Sequence, residues 1–273
     1  MRFLLPPDRS ELSTHARVSL LADWLTEWLG REVRVRVAGT YAEMVDIVQA
    51  KETELAWTPP IVFAGLHGAT RFALTAQRMG VCSSRGAIIV RRDDPAGSIA
   101  ELEGRRAAWV DPLSMSGHLS ALSQVRRYGL EASALFDSQT FYGSYSRALT
   151  AVLDDEADVT SVYGELRDEA DESVRRALKE LVGTRARDLR VLERTGPFPY
   201  DALIGTHALS EPQAEALRAQ LLALRYAPSS PSMLLDVCAC ERFVPAEPAA
   251  YAWLAATPAF SAARRSSRPS KPT

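Results

Sequence analysis

The sequence predicts an α/β protein built as two units, and three observations predict it. Short apolar runs alternate with amphipathic helical stretches, the grammar of parallel strands crossed by helices. The alternation is played out twice, with one apolar run leaving the first set and another returning to it. At 273 residues the chain has length enough for two cores.

Taken in order, Arg2–Leu5 reads as a first strand, punctuated by Pro6 and Pro7. A helix follows from Leu12, with Leu20, Leu21, Trp24, Leu25, Trp28 and Leu29 on one broad face and Gly30 as its stop. Val33, Val35 and Val37 alternate with Arg34 and Arg36, the period of a half-buried strand. Thr40-Tyr-Ala-Glu43 is a capping box opening a helix with Met44, Val45 and Val48. Residues 54–57 are extended before Thr58-Pro59-Pro60.

Residues 85–90 form the apolar run that leaves the first unit, and Leu102-Glu-Gly-Arg-Arg106 leads into a strand ending at Asp111-Pro112. A helix is expected over residues 116–128, a strand over 136–141, a helix capped by Ser144, and a strand over 158–162. Leu166, Ala170, Val174, Leu178 and Leu181 space a further helix whose other faces are charged and solvated. Residues 189–192 and 201–205 flank Thr195-Gly-Pro-Phe-Pro-Tyr200, which reads as the return crossing. Ser210-Glu-Pro-Gln213 is another capping box, and helical stretches over 232–243 and 248–256 complete the body. The expected lobes are 1–84 with 196–261, and 85–195, each a mainly parallel sheet flanked by helices. Residues 262–273, with Arg264, Arg265, Arg268 and Lys271 among Ser and Pro, read as a disordered tail.

Composition narrows the function. Hydrophobic residues at 47% and charged residues at 24% are an ordinary globular balance, and a net charge of −2 without a basic stripe excludes a nucleic-acid partner. No window approaches the ~18 apolar residues of a membrane span. Met1-Arg-Phe-Leu-Leu5 is too short for a signal-peptide core, so the sequence as written reads as cytoplasmic, and as periplasmic if a leader has been removed. Cys82, Cys238 and Cys240 make no disulfide framework and read as small hydrophobes.

The chemistry concentrates in Asp111-Pro-Leu-Ser-Met-Ser-Gly-His118, a loop between a strand and a helix. The first N–H groups of a helix lack intrahelical partners, and the helix dipole favours negative charge there. Ser114 and Ser116 add hydroxyl donors, and Gly117 lets a ligand approach the backbone. A capped helix after a βα loop is the plain alternative. Thr40, Tyr41, Thr58, Ser83, Ser84, Ser144 and Tyr145 fall at similar ends, so the expected ligand is an oxyanion in a cleft between the lobes. The four histidines, His15, His67, His118 and His207, are scattered, and no nucleotide loop or nucleophile elbow occurs. No cofactor, no metal and no catalytic residue are therefore expected.

Gly39-Thr-Tyr41 with Met44-Val45, Glu54-Leu-Ala-Trp-Thr-Pro-Pro60, Asp111-Pro-x-Ser-x-Ser-Gly117 and Phe141-Tyr-Gly-Ser-Tyr145 carry a resemblance. Together they resemble the phosphate/phosphite/phosphonate-binding proteins (PhnD-like) of ABC transporters, over residues 1–224. The resemblance implies a type II periplasmic-binding-protein fold with two hinge crossings that closes on its ligand. It implies phosphoryl contacts at Tyr41, Thr58, Ser114, the Met115 backbone, Ser116 and Gly117. Ser84, His118 and Tyr145 complete the candidate set; Tyr145 stands where the family has a His after Gly-Ser, and Ser84 where an aromatic is expected. The absence of an acidic pair points to a simple oxyanion, or one with a less polar tail, over an amine-bearing ligand. The implied partners are a small oxyanion and an ABC permease or a signalling protein, with the chain a monomer. The alternatives are a cytoplasmic sensor or interaction domain derived from such a receptor, and an enzyme on the same fold, chorismate-dehydratase-like.

Overall fold

The computed structural model describes residues 1–6, 11–66, 68–167, 170–227 and 232–255, with the side chains of 11–15 outside that description. In chain order the first elements are β1 (Arg2–Leu5), α1 (Glu11–Leu29), β2 (Arg34–Val37), α2 (Tyr41–Gln49), β3 (Leu55–Thr58), α3 (Pro60–Ala64) and β4 (Thr70–Gln77). Then come β5 (Ser83–Arg91), β6 (Arg105–Trp109), α4 (Ser120–Arg127), α5 (Ala132–Leu135), β7 (Phe136–Phe141), α6 (Tyr145–Leu153), β8 (Val159–Glu165) and α7 (Glu172–Val182). The last are β9 (Leu189–Arg194), β10 (Phe198–Pro199), β11 (Ala202–Thr206), α8 (Glu211–Ala223), α9 (Met233–Val237), β12 (Arg242–Pro245) and α10 (Ala252–Ala255). They fall into two compact units, Met1–Cys82 with Pro199–Thr273, and Ser83–Phe198.

The first unit is a six-stranded sheet in the order β12-β4-β11-β3-β1-β2. Its βαβ part is parallel, β1 pairing with β2 and β3, because α1 and α2 carry the chain back between strands. The other pairings are antiparallel: β11 lies between β3 and β4, and β12 lies beside β4. The second unit repeats the mixture, with β6 parallel to β7 and β8, and β5 antiparallel to β8 and β9. Both sheets are thus mixed, not mainly parallel. The strands on which the chain enters after crossing, β11 and β5, run against the βαβ strands, and apolar alternation carries no record of direction.

Each sheet is buried by helices for reasons visible in its strands. All five residues of β11 are buried, as a central strand covered on both faces requires. Leu203 of β11 joins Phe3, Leu21, Leu25, Leu55, Trp57, Leu74, Leu217 and Leu221 in the first core. In the second unit β5 divides by parity. Ala87 and Ile89 face a cluster with Leu149, Val152, Val174 and Leu178, while Ile88 and Val90 face another with Trp109, Val125 and Phe136. Gly30, at φ +61°, ends α1 in the left-handed conformation that suits glycine.

Three expected elements change. The helix spaced from Leu166 begins at Glu172, because β8 runs on to Glu165 and Asp171 sits in the left-handed region at φ 57°. The stretch 232–243 is not one helix. α9 stops at Val237, Ala239 turns at φ 47°, and the chain straightens into β12. Phe243 then packs edge-on against Trp57 at 6.2 Å and is buried in the first core. The stretch from 248 is a single turn, Pro248–Ala250, followed by α10. The tail at 262–273 lies outside the described residues, as do His67 and the His15 side chain. Cys82, Cys238 and Cys240 are free thiols, the last two buried. Among the described residues no helix is long and apolar enough to cross a membrane.

Candidate oxyanion site

In the second unit the 111–118 loop folds at the C-terminal end of β6, where ligands of α/β sheets gather. Asp111 ties its start: its Oδ1 accepts from Leu113 N–H at 2.9 Å and its carbonyl from Ser114 N–H at 3.0 Å. Val110 N–H donates to the Gly117 carbonyl at 3.2 Å, closing the loop on the strand. Ser114 Oγ accepts from Gly117 N–H at 3.2 Å as an N-cap.

The helix does not begin as an ordinary α-helix. Residues Met115–Leu119 form a π-type turn ahead of α4, with Leu119 N–H donating to the Ser114 carbonyl at 2.9 Å. That five-residue step leaves the N–H groups of Met115 and Ser116 ahead of the first intrahelical bond. The Ser116 carbonyl accepts from Ser161 Oγ at 2.6 Å, while the Ser116 hydroxyl has no hydrogen-bond partner among the described residues.

A second helix start is tied to the first. Tyr142 N–H donates to the Trp109 carbonyl at 2.8 Å and Gly143 N–H to the Val110 carbonyl at 2.9 Å. Ser144 Oγ caps α6 by accepting from Arg147 N–H, and the hydroxyl of Tyr145, the first residue of α6, lies 3.4 Å from Ser114 Oγ. Ser114, Met115, Ser116 and Tyr145 are therefore brought together, the Ser114 and Tyr145 hydroxyls sharing a hydrogen bond in which either can donate.

Gly117 and His118 lie in the same turn but serve its architecture. A Cβ on Gly117 would fall 2.4 Å from Val110 Cγ2, so the glycine is required by the loop's contact with the strand end. His118 is 6% exposed, with Nδ1 at 2.9 Å from the Pro112 carbonyl and its ring between Trp109 and Phe141. Burial lowers its pKa below the usual histidine value, which keeps the imidazole neutral near pH 7. Ser84 is elsewhere on the sheet, its hydroxyl donating to the Gly164 carbonyl at 2.7 Å, and no hydrogen bond links it to the 114–118 turn.

Tyr41 and Thr58 belong to the first unit, at the starts of α2 and α3. Thr40 Oγ1 accepts from Glu43 N–H at 3.0 Å, but Glu43 Oε2 accepts from Gly39 N–H at 2.6 Å, one residue earlier than a strict capping box. Thr58 is fully buried and spends its one hydroxyl hydrogen on the Ala202 carbonyl at 2.9 Å.

Sequence reading passed over Asp201, a lone carboxylate in what looked like a crossing. Burial pushes it up to about 6, against the opposing pull of Arg78. Arg78 stacks 4.3 Å over the Tyr200 ring and donates to the Cys238 carbonyl at 2.9 Å, leaving its buried Nε unpartnered among the described residues. No motif announces this group; only an arginine and an acid far apart in sequence. Among the described residues no cluster of three or more His, Cys, Asp or Glu is arranged to hold a metal ion.

Residues 3–251 match the family model described as ABC transporter, phosphonate, periplasmic substrate-binding protein. A comparison with curated protein sequences yields no match. Among solved structures, the Xanthomonas citri protein XAC2383 bound to ATP is 19% identical, with a TM-score of 0.76 over 98% of this chain and 99% of its own. PhnD1 from Prochlorococcus marinus in complex with methylphosphonate is 18% identical, with a TM-score of 0.72 over 97% of each chain. A binding-protein component of a phosphonate ABC transporter from Pseudomonas aeruginosa is 19% identical, with a TM-score of 0.69 over 90% of this chain and 81% of its own. With the family match, these likenesses give the chain the type II periplasmic-binding-protein fold.

Proposed function

The chain belongs to the family of periplasmic phosphonate-binding components of ABC transporters, and from that premise we propose that it captures a phosphonate-, phosphite- or phosphate-like oxyanion for import. The observation that carries this reading is the Ser114–Ser116 turn. It offers a Ser116 hydroxyl without a partner among the described residues and two helix-start N–H groups, with the hydrogen-bonded hydroxyls of Ser114 and Tyr145 beside them. Such donors recognise a tetrahedral oxyanion without a full counter-charge, which favours binding that is strong and still reversible. The methylphosphonate complex of PhnD1 supports the same ligand chemistry.

Tyr41, at the start of α2, is a further candidate contact in the first unit. Thr58 enters only if its hydrogen is released from Ala202. The protein works in the periplasm, beside a permease, as a monomer, and returns its ligand chemically unchanged. Family membership favours neither a sensor role nor an enzyme.

A thermal-shift screen tests the reading with phosphate, phosphite, methylphosphonate, 2-aminoethylphosphonate, sulfate and small carboxylates at millimolar concentration. A ligand confined to the folded state adds ~2.7 kcal/mol at a hundredfold excess over Kd. The expected result is a clear rise in melting temperature with one phosphorus oxyanion, recovered intact by phosphorus NMR. No shift across the panel overturns the reading, and a converted ligand overturns its non-catalytic part.

A further inference from the structure

The second unit holds a cavity of about 560 Å³ that shares no lining residue with the 111–118 turn. Its walls are α7, the turn Gly183–Asp188 and β9, with Arg92 beyond the end of β5. The volume is that of a site for a drug-sized molecule.

Its charge is one-sided. Arg92, Arg175, Lys179, Arg187 and Arg190 line it together with a single carboxylate, Asp171. That carboxylate is already committed, accepting from Arg194 Nε at 2.6 Å. The chain as a whole carries a net charge of −2, so five cations around one concavity are a local concentration against the overall balance.

Two of the cations are held in place without being neutralised. Arg92 donates to the backbone carbonyls of Arg187 and Leu189, and Arg190 to those of Asp94 and Ala96. Carbonyls fix a guanidinium without cancelling its charge. Arg175 and Lys179, one helical turn apart on α7, have no carboxylate partner among the described residues. Arg187 meets Asp188 only at 3.7 Å, with both side chains more than half exposed, a pairing of little strength in water. Beneath the charges the lining is aliphatic: Leu178, Ala186, Leu189 and Val191.

We propose that this cavity binds a small organic polyanion, phosphate or carboxylate groups on an apolar body, separately from the oxyanion held by the Ser114 turn. The anionic groups meet Arg175, Lys179 and Arg187 at the rim, and the apolar body covers the aliphatic floor.

Calorimetric titration of the full chain at low salt tests this with ATP, tripolyphosphate and adenosine as probes. The expected result is saturable binding of ATP, weaker binding of tripolyphosphate and none of adenosine. The variant Arg175→Ala/Lys179→Ala lowers ATP affinity at least about tenfold, the scale of one lost hydrogen bond to a charged group. Arg187→Ala, on an exposed turn, lowers it in the same direction and serves if the helix variant melts early. Ser114→Ala/Ser116→Ala leaves ATP affinity unchanged. The proposal is overturned by a lack of saturable ATP binding, by wild-type affinity in the α7 and Arg187 variants, or by loss of ATP binding in the serine variant instead.

Discussion

At the start of α2, the side chains consume one another. Thr40 caps Glu43, Glu43 reaches back to Gly39, and Arg36 closes on the same carboxylate. At the Ser114 turn the same capping device leaves donors over. Ser114 caps Gly117, yet the π-type first turn postpones the first main-chain bond to Leu119 and frees the donors before it. A capping hydroxyl is thus a stabilising group in one unit and part of the proposed oxyanion site in the other. The difference lies in how many residues the first turn spans.

The comparison breaks most completely at Gly117. Gly117→Val drives a side chain into Val110, so the loop cannot close on β6. The expected loss is about 3 kcal/mol of unfolding free energy, with oxyanion affinity abolished, read by denaturant titration and calorimetry.

One buried group in each unit, Asp201 in the first and His118 in the second, responds to pH with opposite sign. The Asp201 carboxyl titrates at about 6 in the folded protein, above its ordinary value of 3.8. The folded state then holds that proton more tightly, and its stabilising effect, full below about pH 4, is lost as pH rises through about 6. The upper bound is about 3 kcal/mol, and Asp201→Asn removes the slope in melts between pH 4 and 7. His118 runs the other way. Its folded pKa is depressed, so its contribution is present above the usual histidine pKa and is lost as pH falls below it. His118→Gln flattens that acid limb.

The smallest effect separates cap from site. Thr40→Ala costs about 1 kcal/mol of stability and leaves oxyanion affinity unchanged, by paired denaturation and titration. An equal loss of affinity would place Thr40 in the binding machinery.

Much of this was legible in the sequence because local chemistry fixes local structure. Thr40, Ser144 and Ser210 mark helix starts whatever surrounds them, and the structure uses the side chains of all three there, Ser210 Oγ donating to Gln213 Oε1. Strand direction is not local, so the antiparallel β11 and β12 left no trace in the alternation. The stretch 232–243 misleads because Leu234, Leu235 and Cys238 fit a helix, while the turn at Ala239 and the pull of Phe243 to the sheet are tertiary effects. At the candidate site, Ser114 and Ser116 were readable from a strand–loop–helix pattern. The commitment of Ser84 to Gly164 depends on strand register, and the coupling of Asp201 to Arg78 on contacts 123 residues apart in the chain (201 − 78). Neither leaves a mark in spacing.

The most direct measurement is a calorimetric titration of methylphosphonate into the wild type and Ser116→Ala, with melting temperature followed in parallel. Ser116 Oγ has no hydrogen-bond partner among the described residues, so the account predicts an affinity lower by about 10- to 150-fold at an unchanged melting temperature. Equal affinity in the two proteins would contradict it and leave the Ser114 turn a capped helix and no more.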